Sequence, residues 1–243
     1  LIKGNSSNKG GGYGNAKRIY QPGAVIKKMR VIDNTAAVNG GGMYLGGGNL
    51  NTSKFYNILV SGNTAGSAGG GIYLTHSKNR VKFYDTIISN NTSPLGGGLY
   101  IEHSQPWFEG AIIRDNKANK GGGIFVKQNQ AITKLINTLI YENSATESGG
   151  AIHALNRPTI KFFHSTIFDN NCECDGEVNT GIAANKGVEF YFYNSIYWAG
   201  SKSEEIVFKE GTTYQGEFVA RNSIVKGLAS IKHTEGYDTI DFD

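Results

Sequence analysis

Proline is scarce, at 4 residues in 243, well under the roughly 5% average. Set beside 34 glycines, that scarcity excludes collagen and Pro-rich linkers, both of which need the two residues together. Charged residues are also few, at 18%, where roughly a quarter is usual. The formal charge of +4 is too small to claim a nucleic-acid partner. Two cysteines, Cys172 and Cys174, cannot make a disulfide framework. No run of about 18 apolar residues occurs, so this segment encodes no membrane-spanning helix and direct membrane insertion is not expected. The opening Leu1-Ile2-Lys3-Gly4-Asn5 carries no basic, apolar or cleavage region of a leader. It already matches the interior of a repeat, so a piece of a longer chain is expected. What the chain does have, 13 Tyr and 12 Phe with many Ile and Val, excludes disorder. A Gly-rich, all-β body is the expectation.

The repeats organise everything else. An Asn is followed by a glycine pair or triplet and then an apolar-aromatic-apolar run: Asn34 with Gly40-Gly41-Gly42-Met43-Tyr44-Leu45, Asn63 with Gly69-Gly70-Gly71-Ile72-Tyr73-Leu74, and Asn91 with Gly96-Gly97-Gly98-Leu99-Tyr100-Ile101. The series continues with Asn116 before Gly121-Gly122-Gly123-Ile124-Phe125-Val126 and Asn143 before Gly149-Gly150-Ala151-Ile152-His153-Ala154. Asn5 with Gly10-Gly11-Gly12 is a partial first copy. The Asn-to-Asn spacings are 29, 28, 25 and 27.

Helical repeats are excluded, because each interior Gly costs a helix about 1 kcal/mol and no stretch keeps a 3.6-residue period. Alternation within Ile72-Tyr73-Leu74 instead points to short strands. One coil per repeat, stacked at about 4.8 Å, brings like residues above like. The expectation is a single right-handed parallel β-helix of eight or nine coils over 1–243, with insertions at 13–23 and 171–180. Val31, Val60, Ile88, Ile113, Ile140 and Ile167 should form an interior column. Asn34, Asn63, Asn91, Asn116, Asn143 and Asn170 should form a structural amide ladder, with Asn itself taking the left-handed bend.

These residues resemble two groups of secreted β-helix proteins. Gly149-Gly150-Ala151-Ile152 and its all-Gly versions, with a partial Phe-x-x-Asn match elsewhere, look like the repeats of polymorphic outer-membrane proteins and related bacterial adhesins. Asn194-Ser195-Ile196-Tyr197-Trp198 and Asn222-Ser223-Ile224-Val225 are similar to the end of the choice-of-anchor Q domain, and 236–243 resembles its following segment. In that family a β-helix precedes an anchoring signal on bacterial surface proteins. The resemblance implies secretion and a place outside the cell or on its outer surface, and says nothing of the ligand.

Several side-chain groups could carry chemistry. Asp33, Asp115, Glu142 and Asp169 stand just before the ladder Asn, interrupted by Gly62 and Asn90. On adjacent coils Asp115, Glu142 and Asp169, beside Arg114, would sit about 5 Å apart, near the separation of a retaining glycosidase pair. They are the weak catalytic alternative, a pectin-lyase-like lyase or glycoside hydrolase. No cofactor is expected; Ca²⁺, if the chain took one, would bind at these acids. The column Tyr44, Tyr73, Tyr100, Phe125, continued by His153, lies one residue beyond an interior column and should face outward, as a stabilising ladder or as a ligand-docking strip. Tyr141, Phe168, Tyr197 and Trp198 form a second aromatic group. His76 and His103 occupy equivalent turns without a recurring third ligand, so no metal is expected. Cys172-Glu173-Cys174 is too tight for a zinc knuckle, and a local disulfide suits it better. Lys17, Arg18, Lys27, Lys28 and Arg30 are compatible with an anionic polysaccharide.

The favoured reading is a rigid surface rod, not an enzyme, that adheres to a glycan or a cell-surface protein and is able to assemble with other chains. A polysaccharide-cleaving enzyme and a purely structural spacer are the alternatives.

Overall fold

A strand that turns alternate residues inward can close a coil only where the backbone bends sharply, and the repeat supplies those bends at fixed places. The computed structural model describes residues 1–15, 23–46, 53–127, 132–174, 180–185, 187–198, 205–209, 216–226 and 239–242. They form 32 short strands and no helix. Every strand pairing is parallel, between equivalent segments of successive coils. Three long faces result. Face one has nine strands, from Ile2–Lys3 through Leu59–Ser61 and Ile112–Arg114 to Ile224–Val225. Face two has eight, from Tyr13–Asn15 through Ile72–Asn79 to Glu205–Lys209. Face three has nine, from Val25–Lys27 through Lys82–Tyr84 to Thr239–Phe242. A short fourth side between faces one and two is built from three-stranded pieces such as Ser6–Lys9, Thr35–Asn39 and Thr64–Ala65.

The chain completes about six full turns, so the expected eight or nine coils are too many. The shortened copies account for the difference. Ile196–Trp198 and Ile224–Val225 extend face one, but among the described residues they bring neither an Asn rung nor a strand of the short side. Two segments expected as insertions begin inside the pattern: Tyr13–Asn15 pairs with Met43–Leu45, and Asn171–Cys172 pairs with Ser144 and Ala145. The rest of those insertions, 16–22 and 175–179, lies outside the described residues.

The interior is apolar and columnar. Val31, Val60, Ile88, Ile113, Ile140 and Ile167 pair in register and are fully buried, as expected. On face three Phe55, Phe83 and Phe108 stack with ring centroids 4.8 and 4.7 Å apart. That spacing is the rung spacing itself, so stacked rings meet without strain.

The corner between face one and the short side carries the polar ladder. Asn116 Oδ1 accepts from both the backbone N–H and the Nδ2 of Asn91, each at 3.0 Å. Its own Nδ2 donates to Ile88 O at 3.0 Å and to Asn143 Oδ1 at 2.9 Å. The same pattern joins Asn5, Asn34, Asn63, Asn91, Asn116, Asn143 and Asn170. The left-handed bend falls one residue earlier than expected. Gly4, Asp33, Gly62, Asn90, Asp115, Glu142 and Asp169 have φ between 49° and 68°, whereas the ladder Asn do not have positive φ. Bending and hydrogen bonding are therefore divided between neighbours. A smaller ladder starts alongside the last Asn rungs, at another corner: the N–H groups of Thr138, Ser165 and Ser195 donate to the hydroxyls of Ser165, Ser195 and Ser223 at 3.1–3.2 Å.

The glycine corner is steric. A Cβ on Gly97 would lie 2.6 Å from the Gly122 carbonyl oxygen, a contact no side chain tolerates against backbone.

Replacing Asn116 by Ala strands the Asn91 donors and the Ile88 acceptor, and should lower stability by about 1–3 kcal/mol in urea unfolding. Asn116→Asp should do worse, because it sets a carboxylate oxygen against Ile88 O and Asn143 Oδ1. Equal stability of all three proteins would show that the ladder contributes nothing.

Candidate functional site

Face three exposes the residues that flank its buried Phe column. In Lys54-Phe55-Tyr56 and Lys82-Phe83-Tyr84 the central ring points inward and its neighbours outward. Register then stacks Lys54, Lys82, Trp107, Lys134, Lys161 and Tyr191 in one outward column. Beside it run Lys27, Tyr56, Tyr84 and Glu109, and higher up Phe163 and Tyr193. Tyr56 and Tyr84 stack at 4.7 Å, and Phe163 and Tyr193 at 5.1 Å.

Cations and rings are interleaved. Lys82 Nζ lies 4.3 Å and Lys134 Nζ 5.1 Å from the centre of the Trp107 ring, so one indole holds two ammonium groups. Lys161 Nζ lies 4.4 Å from Tyr191, and Lys27 Nζ 5.6 Å from Tyr56. Around Trp107 the surface sinks into a depression of about 380 Å³ lined by Arg80, Lys82, Gln105, Ile132 and Lys134, with Pro106 at its floor strand. Arg80 Nε donates to Gln105 Oε1 at 3.2 Å. Trp107 Nε1 is shielded from solvent and has no hydrogen-bond partner. Among the described residues the lining holds three cations and no carboxylate. Higher on the same face the charge changes sign: Glu189 accepts from Thr159 at 2.8 Å, and Glu217 accepts from the Tyr191 hydroxyl.

The expected aromatic column behaves differently. Tyr44, Tyr73, Tyr100, Phe125 and His153 do stack, at 4.8–5.2 Å. They are not open to solvent, however: exposures run from 3% to 9%. The four rings from Tyr44 to Phe125 form a second apolar cluster with Ala68, Leu95 and Leu155. Ala68 and Leu95 belong to the short side, whose bridges carry the chain across this flank before each glycine corner. Its residues thus roof the rings and remove the open surface a docking strip needs. Polar ends are satisfied inside the cluster: Tyr73 donates to a Glu102 carboxylate oxygen at 2.8 Å, and His153 Nδ1 lies 2.7 Å from Ser148 Oγ.

The acid column sits on successive rungs, with Glu142 N–H donating to Asp169 O at 3.2 Å. Each member occupies a left-handed bend, and Asp115 is ion-paired with its neighbour Arg114. Asp, Asn and Gly are the residues that bend favours, so backbone conformation accounts for most of the column, Gly62 and Asn90 included. The second aromatic group divides: Tyr141 and Phe168 stack at 5.0 Å outside, while Tyr197 turns inward and is 2% exposed. His76 and His103 lie at exposed bends with φ of 93° and 50°. Among the described residues no three His, Cys, Asp or Glu come together as a metal would require. Cys172 and Cys174 are joined in a disulfide. Of the basic group, Lys27 meets face three, Lys28 and Arg30 flank the next corner, and Lys17 and Arg18 lie outside the described residues.

Residues 2–197 match the family model of the right handed beta helix region. The chain belongs to that family. A comparison with curated proteins and one with solved structures found no match. Membership in the right-handed β-helix family accords with the parallel coils and leaves the ligand to be argued from the side chains.

Sequence reasoning passed over the Trp107 depression, although a signal was present. Lys-Phe-Tyr recurs at 54–56 and 82–84, and Trp107-Phe108 and Lys134-Leu135 fall at the same strand position.

Two outcomes follow from the roofed rings. Tyr100→Ala should destabilise by about 3 kcal/mol, as a buried aromatic truncation does, without altering ligand binding. Burial, then the nearby Glu102, raises the pKa of Tyr73 and Tyr100 above the usual tyrosine range, and burial alone does so for Tyr197. A phenol with a raised folded pKa holds its proton more tightly when folded. Its contribution is therefore complete below the unfolded value near 10 and is lost as pH climbs beyond it. Stability should be flat to about pH 10 and fall above, with tyrosinate absorbance appearing together with unfolding.

Proposed function

We propose that this β-helix is a rigid, non-catalytic extracellular rod that adheres through face three to glycans or to glycan-bearing cell surfaces. The supporting observation is the outward column of lysines and aromatic rings that runs from Lys54 up to Tyr191 with each ring or ammonium one rung from the next. Beside it Lys27, Tyr56 and Tyr84 below are separated from Phe163 and Tyr193 above by Glu109 and Ile136. Exposed rings beside hydrogen-bonding groups are the chemistry by which proteins hold sugars, because a sugar offers both C–H faces and hydroxyls. A stack of parallel coils keeps these groups at fixed spacing, so adhesion does not have to order them first.

Two further points agree. The Cys172–Cys174 disulfide suits an oxidising exterior, and the repeats resemble those of bacterial surface proteins. The fold is compatible with pectin-lyase-like enzymes. The bends account for Asp115 and Asp169, and nothing about Glu142 between them requires a reaction.

The double variant Tyr56→Ser/Tyr84→Ser should lose most of its retention on a glycan array or on cells, while stability falls by only about 1 kcal/mol, the value of one stacked cross-strand pair. Undiminished retention would move the reading to a spacer. If the protein released unsaturated or reducing ends from polyuronates and Asp115→Asn/Glu142→Gln/Asp169→Asn abolished it, the rod would be an enzyme.

A further inference from the structure

The lysine column carries a cost that the fold does not explain. Lys54 faces Lys82, and Lys134 faces Lys161, directly across neighbouring parallel strands. Like charges in that relation destabilise a sheet, and at about 4.8 Å they repel even in water. Among the described residues none of these four lysines forms an ion pair, although Lys3, Lys120 and Lys127 elsewhere on the rod do. Trp107 interrupts the column and relieves part of the repulsion by taking an ammonium on either side. Its ring faces are thereby occupied by cations and are not free for a sugar to stack on. The indole works as a spacer that fixes two positive charges at the mouth of the depression.

Arg80 adds a third. Its hydrogen bond to Gln105 uses Nε, which leaves the terminal nitrogens as a fork suited to a planar or tetrahedral oxyanion. Trp107 Nε1 is a shielded donor lacking an acceptor, and a buried donor of that kind calls for one. Three cations on an open face, with no carboxylate among the described lining residues, define an acceptor-rich, anionic ligand.

Resting on the adhesive reading, we infer that the depression at Arg80, Lys82, Trp107 and Lys134 is a subsite for an anionic sugar, carboxylate- or sulfate-bearing, in a chain laid along the rod axis. The charged substituent sits at the mouth of the depression, bridging the Lys82 and Lys134 ammoniums across the edge of the Trp107 ring and facing the Arg80 fork. Neighbouring sugars extend toward Lys54 on one side and Lys161 on the other, beside the Tyr56–Tyr84 pair. The acidic end of the face, at Glu189 and Glu217, sets the limit of the tract.

Isothermal titration of the full chain tests this with four probes: an oligouronate, a sulfated oligosaccharide, a neutral glucan and poly-glutamate. The unmodified protein should bind one of the two acidic sugars, more weakly as salt is added, and whichever binds identifies carboxylate or sulfate as the group read. Lys82→Gln/Lys134→Gln should weaken that binding at least about tenfold, two lost charge pairs being worth roughly that. Its melting temperature should hold or rise, because repulsion in the column is removed, so misfolding cannot mimic the loss. Equal binding by the variant, or equal affinity for the neutral glucan, overturns the subsite and leaves adhesion through the tyrosines standing. Poly-glutamate binding as tightly as the sugars overturns the sugar assignment. Failure of every glycan to bind takes down the adhesive reading as well.

Discussion

A buried side-chain amide must find acceptors for two donors and donors for its oxygen, and in this rod it finds them in the coils above and below. Asn116 shows the pattern: its oxygen accepts from the amide and backbone N–H of Asn91 in the coil before, its amide donates to Ile88 O of that same coil, and its amide and backbone N–H donate to the Asn143 oxygen in the coil after. Unmet, each of those groups would cost on the order of 1–3 kcal/mol. One coil alone cannot satisfy them, so each turn depends on its neighbours, as expected when a solenoid's stability resides in the interfaces between repeats. Where the Asn series ends at Asn170, the hydroxyl ladder begun at Ser165 continues at a different corner through Ser195 and Ser223, and among the described residues no further strand of the short side follows Asn171–Cys172.

Vertical register has opposite consequences inside and outside. Within the rod, like over like is favourable: Phe55, Phe83 and Phe108 stack at the rung spacing, and branched aliphatics fill the remaining columns. On the exterior the same rule sets lysine over lysine on face three. A fold that repeats its sequence repeats its charge, and a lysine column with no ion pair among the described residues is therefore more informative here than an isolated surface lysine elsewhere. Face one shows the neutral version, with Ile87, Leu139 and Ile196 each more than a third exposed in one outward column.

The bends show how backbone conformation can imitate a functional pattern. Asp33, Asp115, Glu142 and Asp169 look like an acid column because a left-handed residue recurs in each coil, and short polar residues or glycine are what that conformation admits. Gly62 and Asn90 meet the same demand without a charge. The tyrosine column was misleading in the other direction. Alternation correctly put Tyr73 and Tyr100 on the outer side of their strands, yet outside the sheet is not outside the protein once Ala68 and Leu95 lie over the rings.

Period, alternation and composition alone determined the parallel coils, the interior Val/Ile column and the Asn ladder, because these depend on contacts between equivalent positions, which a repeat displays directly. The number of closed turns was not legible, since a shortened copy such as 221–225 still reads as a strand although, among the described residues, no Asn rung and no strand of the short side accompany it. Only the tertiary structure decided which outward columns reach solvent, because covering comes from non-equivalent residues of the short side. It also decided that Arg80, Lys82, Gln105, Trp107 and Lys134 meet around one depression. Those residues belong to three different coils, and it is strand register, set by buried side chains, that brings their exposed neighbours together.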